Sequence, residues 1–238
     1  MDALGDLLLP NLVMLVGSAL QTSAGIGFGM VAVPFLGLMD LAGQPAPVLQ
    51  ANLLLSVAMA ARGRGAIDLS EAPPLFIGLA IGTAIGAGIL ALTAKESLGL
   101  LIGVLICLAV VASVAAPPLP LTRRTILAAS TIGGATGIIT VMHAPPLIVL
   151  YQRESPEKVR ATMGAVFVTG CLMALASLWV AGLYGAVEVR AGLVLMPGVV
   201  AGFLLGRMIA GRVPVAAVRI AMLTVAAAGG LALIVRSL

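Results

Sequence analysis

An uncharged run of 33 residues, Leu7 to Met39, constrains this chain more than any other feature. As a single α-helix at about 1.5 Å per residue it would reach roughly 50 Å, against a bilayer hydrocarbon core of ~30 Å. The run must therefore break. The stretch Gln21–Pro34, QTSAGIGFGMVAVP, offers the place, because Gly25, Gly27 and Gly29 stand at alternate positions beside hydroxyl and amide side chains. Glycine tolerates non-helical dihedrals and costs a helix about 1 kcal/mol relative to alanine. Broken backbone at membrane depth persists only where protein or a wet cavity satisfies its polar groups, so the break is also a candidate functional site.

Composition fixes the class. The 238 residues are 61% hydrophobic and 9% charged, whereas a soluble domain carries roughly 25% charged residues. Mean hydropathy is +1.20, so the chain is an integral membrane protein. Its net charge of +4 is no nucleic-acid footprint, because the 13 basic residues sit singly or in pairs at the ends of apolar runs. The start, MDALGD, is acidic where the n-region of a signal peptide is basic. Cys107 and Cys171 lie in apolar segments and read as small hydrophobes, with no spacing that points to a disulfide, a metal or a cofactor.

Eight apolar segments follow, at about 7–39, 45–61, 72–93, 97–116, 125–151, 159–181, 189–208 and 214–235. The fold class is therefore all-α integral membrane. Segment 5, like segment 1, is long and interrupted, from Gly133, Gly134 and Gly137 to Pro145-Pro146. An offset of 116 superposes Gly17 on Gly133, Ala19 on Ala135 and Val33 on Val149, and places Leu79, Gly82 and Gly86 on Leu195, Gly198 and Gly202. This predicts two four-segment repeats in one membrane domain: residues 1–116, a linker at 117–124, and residues 125–238.

Basic residues test the topology, since Lys and Arg concentrate in cytoplasmic loops. If all eight segments cross, the two faces carry six and seven basic residues, which is no bias. If segments 1 and 5 are re-entrant hairpins, one face carries Arg62, Arg64, Arg123, Arg124, Arg153, Lys158, Arg160, Arg207, Arg212 and Arg219, and the other only Lys95, Arg190 and Arg236. That bias favours hairpins, with both termini, Asp2, Asp6 and Asp40 extracytoplasmic. Each half then makes an odd number of crossings, so the repeats are inverted. Inverted repeats with discontinuous helices belong to transporters whose substrate site lies near the midplane.

In a hairpin both helix dipoles end at the tip. Backbone N–H groups around Gly27 to Met30 and Met142 to Ala144 would favour an anion there, with Gln21, Thr22 and Ser23 as side-chain donors and Gly25, Gly27 and Gly29 allowing close approach. Tight helix packing is the other use of such glycines. Asn52 and Ser56 share a face of segment 2, with Thr162 as the counterpart on segment 6, and Thr140 precedes the second tip; these line the site or bond between helices. His143, the sole histidine, is a structural hydrogen-bonder or a proton-coupling group. Arg160 draws anions to the mouth or snorkels to the interface. Trp179, Tyr151 and Tyr184 read as interfacial anchors, and Glu154 with Lys158 as solvated loop charges. Gly78, Gly82 and Gly86 form a small-residue stripe for packing within the protomer or across a homodimer.

Two stretches carry a family resemblance. QTSAGIGFGMVAVPFL resembles the first-repeat signature of the TauE/SafE sulfite-exporter family, also called the 4-toluene sulfonate uptake permease family, and GGATGIITVMHAPPLIVLYQ with the following Arg160-Ala161-Thr162 resembles its second. The likeness extends over nearly the whole chain. It implies transport of sulfite, sulfonates or related organosulfur anions, commonly outward. Where relatives have glycines before the proline pair, this chain has Met142, His143 and Ala144, which points to an altered substrate or coupling ion.

The residues thus favour a secondary transporter of a small anion, embedded in the inner (plasma) membrane and without enzymatic chemistry or a cofactor. An anion channel and a non-transporting membrane subunit are the alternatives. Ser23 or Ser56 with His143 leaves an intramembrane hydrolase as a distant one.

Overall fold

The long runs do break. In the computed structural model, which describes residues 3–25, 27–39, 45–61, 70–117, 119–210, 212 and 215–238, segment 1 divides into α1 (Ala3–Ala24) and α2 (Phe28–Leu38), and segment 5 into α6 (Arg123–Thr140) and α7 (Pro145–Tyr151). The other helices are α3 (Ala46–Ala60), α4 (Ala72–Leu92), α5 (Leu98–Ala115), α8 (Pro156–Val180), α9 (Ala186–Ile209) and α10 (Val215–Ser237). Six of the ten are long and apolar enough to cross a membrane, and no strand occurs among the described residues. Asp2, Asp40, Arg62 and Arg64, and the side chains of Asp6, Lys95 and Arg160, lie outside the described residues.

The two breaks have different causes. At the first, Gly25 and Gly27 adopt φ of 85° and 122°, conformations that L side chains rarely tolerate. At the second, Gly133, Gly134 and Gly137 do not interrupt anything: all three are helical within α6. The helix instead ends at Thr140, and Val141 takes a left-handed φ of 57°. Pro145 and Pro146 then open α7, in its first turn, where a missing N–H costs no helical bond.

At both breaks the chain folds back. A β-carbon on Gly17 would stand 3.4 Å from Phe28, and one on Gly133 would stand 2.6 Å from the His143 carbonyl. Residues ten or eleven apart on one straight helix would be roughly 15 Å apart.

Glycine ladders set the packing. Gly78, Gly82 and Gly86 of α4 rest on the carbonyls of Leu127, Thr131 and Ala135 of α6, while Gly198, Gly202 and Gly206 of α9 rest on those of Asn11, Leu15 and Ala19 of α1. Both pairs therefore run in the same direction. The α1 and α6 members differ by 116, as the repeat offset predicts, but the α4 and α9 members differ by 120, so Gly82 matches Gly202 rather than Gly198. The Gly78 stripe is thus occupied inside the protomer. On its other side α4 presents Ile77, Ile81, Ile85 and Ile89, each at least 40% exposed, as a lipid-facing row.

The remaining pairs follow from named contacts. α2 runs with α10, Gly27 facing Met222, Pro34 facing Gly229 and Gly37 facing Leu233. α5 and α10 run oppositely, Gly99 meeting Ser237 and Gly103 meeting Ile234. α3 and α8 also run oppositely, with Ala60 beside Gly164 and Asn52 beside Cys171. Asn11 bridges the proline of α9: its amide donates to the Val194 carbonyl at 3.0 Å and accepts from the Gly198 N–H at 2.8 Å, the backbone groups either side of Pro197.

Candidate functional site

The first tip is held by a string of buried amides. Gln21 Oε1 accepts from the Phe28 N–H at 3.1 Å, and its Nε2 donates to Asn52 Oδ1 at 3.0 Å. Asn52 Nδ2 in turn donates to Cys171 Sγ at 3.5 Å, while Ser56 Oγ donates to Asn52 Oδ1 at 3.5 Å. All four side chains are buried. The string thus joins α1, α2, α3 and α8, and it gives the first N–H of α2 a protein acceptor. The next two N–H groups, of Gly29 and Met30, have no acceptor within their own helix, as at any helix start.

The second tip is built around His143. Its ring fits a slot made by two glycines, since a β-carbon on Gly137 or Gly170 would collide with the imidazole. Phe167 meets it edge-on, at 6.4 Å between centroids and 83° between planes. The backbone of Gly170 is the polar group it faces, but neither ring nitrogen makes a hydrogen bond of good geometry. A fully buried imidazole left this way is unusual, because an unpaired polar group costs about 1–3 kcal/mol. Thr136 Oγ1 lies 3.1 Å from the Met142 carbonyl of the loop and 2.9 Å from the Ile132 carbonyl of its own helix, which share its one proton.

The two tips touch. A β-carbon on Gly29 would stand 2.7 Å from the Val141 carbonyl oxygen and 3.0 Å from Met142 Cγ. Met222 of α10 closes over Gly27 on the other side. Both tips also rest on one place in α8, His143 on Gly170 and Asn52 on Cys171. These neighbours sit at the middle of the apolar span Ala161–Val180.

The sequence that builds these tips has a match among protein families. A family model described as sulfite exporter TauE/SafE matches residues 11–233. The chain belongs to the TauE/SafE family. No curated protein and no solved structure gives a match. As a TauE/SafE member it is a multi-pass membrane protein of a transporter family, not an enzyme. Ser23 Oγ donates to the Leu20 carbonyl of its own helix at 3.1 Å, and Ser56 Oγ to Asn52 Oδ1 at 3.5 Å.

The other candidate residues divide between the tips and their supports. Gly25 and Gly27 form the first turn, and Ala144 is the N-cap of α7. Met142 is buried against Gly29. Thr140 Oγ1 is committed to the Thr136 carbonyl at 2.8 Å. Thr22 Oγ1 is buried without a partner beside Gly206 of α9, and Thr162 Oγ1 is likewise unpartnered. Asn52 pairs with Gln21, Ser56 and Cys171. Sequence reading missed Cys171, taken for a hydrophobe, as well as Gly170, Met222 and Thr136. No local signal marks the first three, because only the packing of α8 and α10 against the tips gives them a role. Thr136 stands one turn before Thr140, a periodicity that was available.

One aromatic expectation changes, and so does one expectation about charges. Tyr151 is buried, not interfacial, and its hydroxyl donates to Glu71 Oε2 at 2.7 Å. Lys158 Nζ lies 2.6 Å from Glu71 Oε1 and 3.3 Å from Glu154, so the expected loop charges tie the ends of α7 and α8 to the start of α4. The hydrogen bond to Glu71 holds the Lys158 ammonium above the ordinary lysine range. Tyr184 donates to Gln50 Oε1 at 2.8 Å, and burial raises its phenol. Trp179, by contrast, is 70% exposed at the end of α8, as an interfacial anchor is.

Proposed function

We propose that this TauE/SafE protein is a secondary transporter that exports small sulfur-containing anions, such as sulfite or organosulfonates, by alternating access about the two hairpin tips. The contact of Gly29 with Val141 and Met142 carries the reading, because it brings together the two breaks in the fold, deep in the protein. Reciprocal packing supports inverted repeats: α4 of the first half grips the long arm α6 of the second, and α9 of the second half grips α1 of the first. Rocking one half against the other would part the tips.

The site suits an anion without a charged ligand. The first turn of α2 offers the Gly29 and Met30 N–H groups and the positive end of its dipole, with Gln21, Thr22, Ser23, Asn52, Ser56, Thr140 and Thr162 nearby or supporting. The second tip is different in kind. Pro145 and Pro146 open α7 and have no N–H, so His143 is its polar group and the candidate for proton coupling. Arg160 is the candidate for drawing anions to the mouth. The bias of basic residues places both termini outside a plasma membrane. A homodimer would use a surface other than the Gly78 stripe, which α6 already covers.

The test is flux of radiolabelled sulfite, sulfoacetate, taurine and sulfate in proteoliposomes, with and without a pH gradient. Saturable efflux and counterflow of sulfite or a sulfonate is the expected result, lost in Gly27→Leu. Normal flux in both Gly27→Leu and Gln21→Ala would refute the tips as the site, and flux without counterflow would make the protein a channel.

A further inference from the structure

Gln21, Asn52 and Cys171 share a property that a ligand role does not explain: they face one another. Both heteroatoms of the Gln21 amide are engaged, one on the Phe28 N–H and one on Asn52. Both heteroatoms of Asn52 are engaged as well, on Gln21 and Ser56 at the oxygen and on Cys171 at the nitrogen. The string thus runs from the start of α2 to the middle of α8 through side chains that are at most 1% exposed. An amide fixed at both ends has a defined orientation, and with it a defined position for the peptide it holds.

We propose that Gln21, Asn52 and Cys171 are positioning residues that set the first tip against α8, with the Cys171 sulfur as the far anchor. The inference rests on the tips being the anion site, and it moves Gln21 and Asn52 from contacting the anion to placing the backbone that does, with Cys171 added to them. Three features support it. Phe28 is the first residue of α2, so holding its N–H orients the N–H groups of Gly29 and Met30 that follow. Gly29 is the residue packed against Val141, so a shift of the α2 start is a shift of the contact between tips. Finally, Cys171 adjoins Gly170, which accommodates His143, so the string registers the first tip against the same point of α8 that seats the second. Thiol sulfur is a weak acceptor, which suits an anchor that releases and re-forms as the halves move.

Cys171→Ala removes the acceptor and Cys171→Ser replaces it with a stronger one. In proteoliposomes, Cys171→Ala is expected to lower maximal sulfite efflux roughly fivefold, the scale of one net hydrogen bond, with KM unchanged and the order of preferred anions kept. Cys171→Ser is expected to restore the maximal rate. Hydrogen–deuterium exchange of the protein in nanodiscs reads the string without any substrate: the peptide covering 21–30 should exchange faster in Cys171→Ala and at the wild-type rate in Cys171→Ser. Wild-type flux and exchange in Cys171→Ala would overturn the proposal. So would a raised KM or an altered anion order with unchanged exchange, since that is the behaviour of a ligand. If the wild-type protein moves no sulfite or sulfonate, the functional reading fails, and the exchange experiment still decides the string.

Discussion

Gly29 of the first tip lies so close to Val141 of the second that a β-carbon would stand 2.7 Å from the Val141 carbonyl oxygen. Backbone faces backbone there, so no side chain can swing aside. Gly29→Ala should therefore push the tips apart, with a cost typical of overpacking, about 1–3 kcal/mol. Sulfite flux is expected to fall by roughly fivefold or more on that scale, while melting in detergent drops by a few degrees. Unchanged flux would show that the contact between tips is dispensable.

His143 occupies a slot in which Gly137 and Gly170 leave room for a ring and nothing more. His143→Gln keeps a polar side chain but cannot carry a proton at neutral pH. Under the proton-coupling reading, an imposed pH gradient accelerates sulfite efflux in the wild type and has no effect in His143→Gln, while exchange without a gradient persists. A gradient response that survives the substitution would assign coupling elsewhere. Gly170→Ala, which crowds the same ring, should impair both modes.

The tie among Glu71, Tyr151 and Lys158 yields a prediction with a sign. The Lys158 pKa is raised above 10.5, chiefly by its hydrogen bond to Glu71. Its contribution is therefore fully present below the ordinary lysine pKa and is lost as pH rises through the raised one. Wild type should melt above Lys158→Met at pH 8, and the gap should close above pH ~10.5. Tyr151→Phe, which keeps the buried ring and removes the 2.7 Å bond to Glu71, should cost about 1.5–3 kcal/mol by thermal melting.

The glycine ladders predict matched effects in the two halves. Gly86 and Gly206 each leave only 2.6 Å between a β-carbon and the facing carbonyl, of Ala135 and Ala19 respectively. Gly86→Val and Gly206→Val should each lower the melting temperature sharply and reduce yield. Gly88→Val, where a β-carbon meets nothing within 4 Å, should be nearly silent.

Cysteine labelling tests the hairpins directly. With Cys107 and Cys171 replaced, cysteines at Arg123 and Arg153 should react with impermeant reagent from one face, and cysteines at Glu96 and Arg190 from the other. Labelling of Arg123 and Arg153 from opposite faces would make segment 5 a full span.

Much of this architecture was legible because membranes impose simple rules. The length of Leu7–Met39 forced a break, and the alternate glycines located it within a residue or two of Gly25 and Gly27. The second break falls at Val141–Ala144, where the tip was expected, but the glycines before it do not make it, because glycine permits a turn without requiring one. Gly133, Gly134 and Gly137 stay helical and serve as sockets for α4 and His143, while the helix ends at a left-handed Val141 and the proline pair opens α7. The offset of 116 survived between α1 and α6 but slipped to 120 between α4 and α9, since a chain can gain about one helical turn in a connection without changing which glycines meet which carbonyls.

The sequence by itself determined the class, the family and the fact of two interrupted segments, because hydropathy, span length and the demands of proline are local properties. Only the tertiary structure decided which residues belong together. The Gly29–Val141 contact, the Gln21–Asn52–Cys171 string and the seating of His143 on Gly170 join residues tens of positions apart or more. A buried polar side chain takes its meaning from the partner that packing brings to it, and no spacing along the chain encodes that partner.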